Sequence, residues 1–285
     1  MPVRRRTDDT RPAALRYNAA MLSGQGLRAR LPAGGWAAEL YVVASTGSTN
    51  TMAADLARAG APEGTLVVAD HQSAGRGRGG TRWHTPPGTA IAMSVVLRPV
   101  AIRPLRWTGL GALAVVEALR REGLTSRIKW PNDVLLDGRK VAGVLTESAW
   151  DGGRIDYVVL GIGVNVLRAS VPGGELDFPA TSIEAVGGFA PDRERLIEAI
   201  LGALEYWYPK LAGEGFLRSW ESAQAFLGER VSVETGEGLV EGRLLGLGPE
   251  GEARVELASG AVTVCGMEAR RLRPIDGNRS RAAAG

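Results

Sequence analysis

The chain has 285 residues, is 45% hydrophobic and carries a formal net charge of +3, enough apolar content for one substantial core and a small extra domain. A single cysteine excludes an internal disulfide or a thiolate metal cluster, two histidines exclude a histidine-rich zinc centre, and no apolar run reaches the roughly 18 residues of a membrane span. Arginine-rich ends, +5 over residues 1–30 and +1 over 275–285, leave −3 on the body between them, so the positive balance is only weak support for nucleic-acid binding by the folded part, and none is expected. With no apolar span, and no apolar stretch after Arg4–Arg6 to make a secretory signal, the chain reads as soluble and cytoplasmic with no membrane segment.

Residues 1–35 lack sustained periodicity and read as a flexible leader, too short for a DNA-binding domain. Leu40–Val43 reads as a strand, Ser48-Thr49-Asn50 as the start of a helix over Thr51–Ala59, and Thr65–Ala69 as a second strand. A glycine–arginine loop follows, then a long strand over Thr89–Leu97 and an apolar helix from Pro104 to about Arg121, packed on the sheet. Arg127–Trp130, Val134–Leu136, Val141–Ser148 and Ile155–Val166 add four strands, with Asp137-Gly138 marking a hairpin. Pro191-Asp192 starts a helix to about Leu211, and Phe216–Phe226 is a shorter one. Beyond Gly228, Val231–Val233, Leu239–Leu247, Ala253–Leu257 and Val262–Cys265 are short strands between glycine turns, which predicts a small five-stranded barrel. The expected fold is α+β: a mixed-sheet catalytic domain over 36–226, an all-β domain over 227–274 and a disordered tail over 275–285.

Only three of the 34 basic side chains are lysine, and two of them, Lys129 and Lys140, lie eleven residues apart. In a chain that writes nearly every cation as arginine, lysine marks a position where a compact ammonium is wanted, with chance placement as the bland alternative. Lys129-Trp130-Pro131-Asn132-Asp133 groups a cation, an aromatic plate, an amide and a carboxylate around a rigid turn, and Pro131 biases Trp130 toward an extended conformation. Lys140 lies across the Asp137-Gly138 hairpin, so both lysines can serve one cavity, and Gly143 can let a ligand approach the strand. Upstream, Gly75-Arg76-Gly77-Arg78-Gly79-Gly80 has the spacing of a dinucleotide fingerprint, but Thr81–Pro87 cannot open the helix such a fingerprint needs. It reads instead as a mobile loop whose N–H groups and guanidinium forks close over an anion, against a solvated basic turn or an RGG-like nucleic-acid segment. Downstream, Gly161 and Gly163 share one face of a strand, either as a flat groove or as room for a packed tryptophan, and Asn165 follows as a ligand for a phosphate or metal oxygen.

Ser48–Asn50, His71–Gly80, Lys129–Asp133, Arg139–Leu145 and Gly161–Asn165 occur in this order over about 120 residues and resemble the motif series of the biotin–protein ligases. The late helices and terminal β-domain resemble that family's layout, with its SH3-like barrel. The resemblance implies activation of biotin by ATP as biotinyl-5′-AMP, then transfer to a lysine of a biotin carboxyl carrier protein, with ATP, biotin and Mg2+ as the small molecules. It places Ser48, Thr49, Asn50 and Gln72 on biotin, and Gly75 and Arg76 beside the biotin carboxylate and the phosphate. Arg76 and Arg78 become catalytic residues of a loop that orders over the adenylate, with Trp83 roofing the pocket on the nucleotide side. Lys140 matches the essential lysine beside the reacting carboxylate and α-phosphate. Gly143, Gly161 and Gly163 would line the biotin slot. Lys129, Asn132 and Asn165 would face the nucleotide, with Mg2+ on the ATP phosphates near the two asparagines, and Asp133 would face the acceptor.

Two departures stand out. Gly79 occupies a position where the family loop often carries another arginine, and the short leader implies no repressor activity. Monomer and homodimer are both compatible with the sequence. A lipoate or octanoate ligase of the related fold is the nearest alternative, disfavoured by the Lys-Trp-Pro-Asn-Asp block. A nucleic-acid-binding module would explain the arginine loop and the leader, but not Lys140 or the glycine pair.

Overall fold

The structure, a computed structural model, describes residues 21–32, 35–99 and 104–275, so residues 1–20 of the leader expected over 1–35, and 276–285 of the tail expected over 275–285, lie outside the described residues. The first body comprises α1 (Gly24–Arg30), β1 (Leu40–Thr46), α2 (Thr49–Arg58), β2 (Leu66–Gln72), β3 (Ala90–Leu97), α3 (Pro104–Arg121), β4 (Ser126–Lys129) and β5 (Asp133–Leu136), then β6 (Arg139–Asp151), β7 (Arg154–Asn165), α4 (Ile183–Gly187), α5 (Arg193–Trp207) and α6 (Glu214–Ser222). Its seven strands run in the order β1-β2-β3-β7-β6-β5-β4; β1 and β2 are parallel and the other neighbours antiparallel. The α+β expectation holds.

Both faces of this sheet are covered, which is why β3 and the latter half of β7 read as continuous apolar runs instead of alternating. Val158, Leu160, Ile162 and Val164 join α3 and α5 in the main core, while Ala53 and Ala57 of α2 cover Val67, Val96 and Val159 on the other face. Along that second face β7 continues from Val159 to Gly161 and Gly163, so its side chains run out where the chain next needs space.

The segment before β1 corrects the expectation of an irregular leader up to residue 35. Helix α1 is capped by Ser23, whose hydroxyl accepts from the Gly26 N–H, and buries Leu27 completely. It is tied to α5 by Arg30 on Asp192 at 2.9 Å and by the Ser23 N–H donating to Glu194 at 2.9 Å. Seven residues are too few to display a helical period, so only the cap was there to be read.

The second body is an antiparallel sheet of β8 (Arg230–Thr235), β9 (Gly238–Leu247), β10 (Ala253–Glu256), β11 (Val262–Cys265) and β12 (Arg270–Pro274), in the order β11-β10-β9-β8-β12. These five strands suit the SH3-like expectation. The turn between β9 and β10 seats in the first body: the Trp130 indole N–H donates to the Gly251 carbonyl at 2.9 Å, and the buried Arg106 donates to the carbonyls of Leu211 at 2.6 Å and of Pro249. Gly251 has φ +96°, and a Cβ there would overlap the Trp220 ring. Gly251→Ala is expected to lower stability by about 2 kcal/mol through strain and overpacking together. Gly260→Ala, at φ +83° but with open space around it, isolates the strain and should cost less. Urea midpoints of the two variants, compared at equal m, check this.

Among the described residues no helix is long and apolar enough to cross a membrane.

Candidate active site

The bare stretch of β7 becomes a cleft because β6 is bare at the matching position: Gly143 and Gly163 are register partners across the two strands. The space there is about 440 Å3, counting its open mouth, and is walled by the start of α2, Gln72, the glycine–arginine loop, Trp83 and Lys140.

Its polar floor is built locally. Ser48 caps α2 in extended conformation, yet its hydroxyl makes no capping hydrogen bond. The Thr49 N–H donates to Gln72 Oε1 at 2.8 Å, and Gln72 Nε2 lies 3.3 Å from Thr85 Oγ1. Ser94 Oγ lies 2.8 Å from Thr49 Oγ1 and 2.7 Å from Asn50 Oδ1, and Asn50 Nδ2 donates to Glu147 at 2.7 Å. These side chains are held in place by one another, as a preorganised site requires.

The glycine pair serves packing as well as the cleft. A Cβ at Gly161 would overlap the Asn50 amide, and one at Gly163 would overlap the Trp83 indole, so the packed-tryptophan alternative applies at Gly163. Trp83 also approaches Gly75, where a Cβ would lie 2.6 Å from the Trp83 carbonyl oxygen. The indole Nε1 of Trp83 is buried with no hydrogen-bond partner, a donor that a ligand in the cleft would satisfy. Gly79 has φ +70° and Gly80 φ +81°, so the absent arginine at position 79 has a backbone reason: that residue sits in the left-handed region.

Lys140 is pinned on both backbone sides: its N–H donates to Pro179 O, and its carbonyl accepts from Thr181, each at 2.8 Å. Its Nζ lies 2.6 Å from Asp133 Oδ1 and 5.6 Å from the Trp83 ring centre, while its stem runs over Gly143. Lys129 Nζ is 2.7 Å from Asp133 Oδ2 and 4.9 Å from the ring centre of Phe178. One buried carboxylate thus carries both lysines. Burial works to raise the Asp133 carboxyl, but the ammonium groups of Lys140 and Lys129 outweigh it and the net shift is downward. Burial pushes the Lys129 ammonium down, against the pull of Asp133.

The two loop arginines are engaged differently from the expectation that both face the phosphate. Arg76 lies on Glu147 at 2.8 Å and on Thr51 at 2.7 Å, because β6 offers a carboxylate that the sequence reading had not singled out. Arg78 donates to the Met267 carbonyl at 2.5 Å, reaching the β-domain, and burial and then Arg270 push its pKa down.

A second, larger cavity of about 1610 Å3 opens beside the cleft, again counting its mouth. Lys140, Asn132, Arg78 and Trp83 line both spaces. The expected nucleotide-side residues Lys129, Asn132 and Asn165 come together in the larger one, and the expected biotin-side residues in the smaller, except Gly75, which lines neither. Asn132 Nδ2 donates to Val144 O and Asn165 Nδ2 to Thr181 O, each at 3.0 Å, which leaves their amide oxygens as acceptors. The far wall is β12, whose Arg271 and Arg273 reach Asp177 at 3.4 and 2.8 Å. Sequence reasoning passed over Glu147, Ser94, Phe178 and this arginine strand. Only the Arg270-Arg271-Leu272-Arg273 run was visible as a signal. Among the described residues no group of three or more His, Cys, Asp or Glu side chains could hold a metal ion.

The comparisons with known proteins agree with one another. Residues 42–165 match the Biotin/lipoate A/B protein ligase family. The bifunctional ligase/repressor BirA of Bacillus spizizenii is 39% identical over 227 residues, which is 75% of this chain and 68% of that one. The biotin–[acetyl-CoA-carboxylase] ligase of Mycobacterium tuberculosis is 39% identical over 215 residues, 70% of this chain and 76% of that one. Among solved structures, the biotin protein ligase of Aquifex aeolicus in complex with biotin and ATP superposes with a TM-score of 0.72 at 30% identity, covering 83% of this chain and 99% of that one.

Proposed function

The chain belongs to the biotin/lipoate A/B protein ligase family, and from that membership we propose that it activates biotin with ATP as biotinyl-5′-AMP and transfers the biotinyl group to a lysine of a biotin carboxyl carrier protein. The observation that carries the reading is the placement of Lys140 on the wall shared by the two cavities, where a carboxylate in one would meet an α-phosphate in the other.

In the first step the biotin carboxylate oxygen attacks the α-phosphorus and pyrophosphate leaves. Both reactants are anionic, so the obstacle is charge, and the Lys140 ammonium offsets it where it accumulates. Among the described residues no carboxylate or imidazole cluster would hold Mg2+; brought in on the triphosphate, it would offset phosphate charge, and the amide oxygens of Asn132 and Asn165 are the neutral groups that would face it. Ser48, Thr49, Asn50 and Gln72 orient the ring end of biotin along the glycine-bearing strands, and Trp83 supplies its unpartnered N–H from above. In the second step the carrier amine attacks the acyl carbon and AMP leaves. Asp133 is the proposed acceptor-side carboxylate, and a cytoplasmic setting fits both reactions.

The loop is the lid of this reading, with Arg78 tying it to the β-domain. Arg78→Ala should release biotinyl-5′-AMP about tenfold faster, the value of one charge-assisted hydrogen bond. A dissociation rate equal to wild type, measured by stopped flow, would count against the lid role. The function itself is tested by exchange of labelled pyrophosphate into ATP in the presence of biotin, lipoate, octanoate or no acid. Dependence on biotin supports the assignment; dependence on lipoate or octanoate transfers the chain to the sister activity.

A further inference from the structure

We propose that the cleft and the larger cavity beside it are kept free of reactive amines, so that the activated biotinyl group is not captured by the enzyme that makes it, and that self-labelling of side chains is confined to Lys210. This rests on the ligase reading above.

An acyl-adenylate reacts with whatever uncharged amine meets it. The nitrogen attacks the acyl carbon, the acyl–oxygen bond breaks, AMP leaves with the electron pair and the amine proton goes to solvent. An arginine guanidinium stays protonated and delocalised and does not take part. Apart from two lysines, the cations around the two cavities are Arg76, Arg78, Arg82, Arg270, Arg271 and Arg273. The two lysines that do reach the site, Lys129 and Lys140, are both held on Asp133 at 2.7 and 2.6 Å, an ion pairing that withholds their nitrogens and, at Lys129, opposes the loss of charge that burial favours. The third and last lysine of the chain is Lys210, exposed, with its Nζ over the Tyr206 ring at 3.0 Å. It follows α5, whose layer packs on the sheet face opposite the one that carries α2 and the cleft. Adenylate can therefore meet Lys210 only after leaving the site, so label at Lys210 would report escape.

The test incubates the full chain with biotin and ATP, without carrier protein, and maps labelled peptides by mass spectrometry for wild type, Arg82→Lys, Arg270→Lys and Lys210→Arg. Wild type is expected to carry side-chain label only at Lys210, slowing on dilution, and Lys210→Arg to lose it. Each lysine introduced on the wall of the larger cavity should label at least about tenfold faster than Lys210, at a rate independent of enzyme concentration, as an intramolecular acceptor does. Label on Lys129 or Lys140 in wild type, or introduced lysines labelled no faster than Lys210, would overturn the inference. Pyrophosphate exchange on the same samples, and a parallel series supplied with synthetic biotinyl-5′-AMP, separate the two ideas. Absent biotin-dependent exchange counts against the ligase reading, whereas introduced lysines left unlabelled in the presence of supplied adenylate count against the amine-free site.

Discussion

Lys140→Ala should reduce biotin-dependent pyrophosphate exchange by about a hundredfold or more while the protein stays folded. Removing one preorganised charge from a site that excludes water typically costs about 3 kcal/mol of transition-state stabilisation. The fold should tolerate the change, since the Lys140 side chain is 27% exposed and Asp133 retains Lys129 as partner. Lys140→Arg is not expected to rescue activity. The lysine stem runs over the bare Gly143, beside Trp83, and a planar, delocalised guanidinium would not place a compact ammonium at the same point. The measurements are the exchange rate and a denaturation midpoint for each variant. Near wild-type exchange in Lys140→Ala would refute the role.

Asp133→Asn should lower stability by about 3 kcal/mol, the scale for breaking a buried ion pair from one side. The amide keeps the shape but leaves Lys129, 4% exposed, without an anion. Replacing Lys129 by Met in the same chain should recover part of the loss, because the uncompensated charge is then gone. Acid gives the second signature. Burial acts to raise the Asp133 pKa and its two lysines together lower it by more, so the folded value lies below the unfolded one. Its stabilisation is therefore complete above the unfolded value of about 3.9 and is lost as pH falls through the lower folded value. Wild type and Asp133→Asn should differ by the full amount near neutrality and converge at the acid end of a urea-midpoint series.

The sheet was legible because burial on both faces writes strands such as Ala90–Leu97 as unbroken apolar runs, and because Pro104 and Arg121 bound a helix long enough to show its period. What escaped had no local signature. Helix α4 spans five residues, and β12 carries arginines on the positions around its one buried residue, Leu272, so it shows no clean alternation. The site split along the same line. Lys140, the loop and the glycine pair lie in recognisable segments, but the Arg76–Glu147 ion pair joins residues 71 apart and the Trp83 indole meets Gly163 across 80. Gly161 and Gly163 announced a missing side chain without saying whose ring or amide would fill the space.

The seat of the β9–β10 turn has a consequence for how such a protein can be inherited and recombined. Trp130, which receives Gly251, is the neighbour of Lys129 and belongs to the turn that carries Asn132 and Asp133. The β-domain is thus gripped by the same few residues that shape the reaction chamber, and its own strand β12 closes that chamber from the far side. A β-domain grafted from a distant relative would bring a plug cut for a different socket. Exchange by shuffling is disfavoured, and the two halves of the gene are expected to drift together, with substitutions at Pro249–Gly251 tracked by compensating ones at Arg106, Trp130 and Trp220.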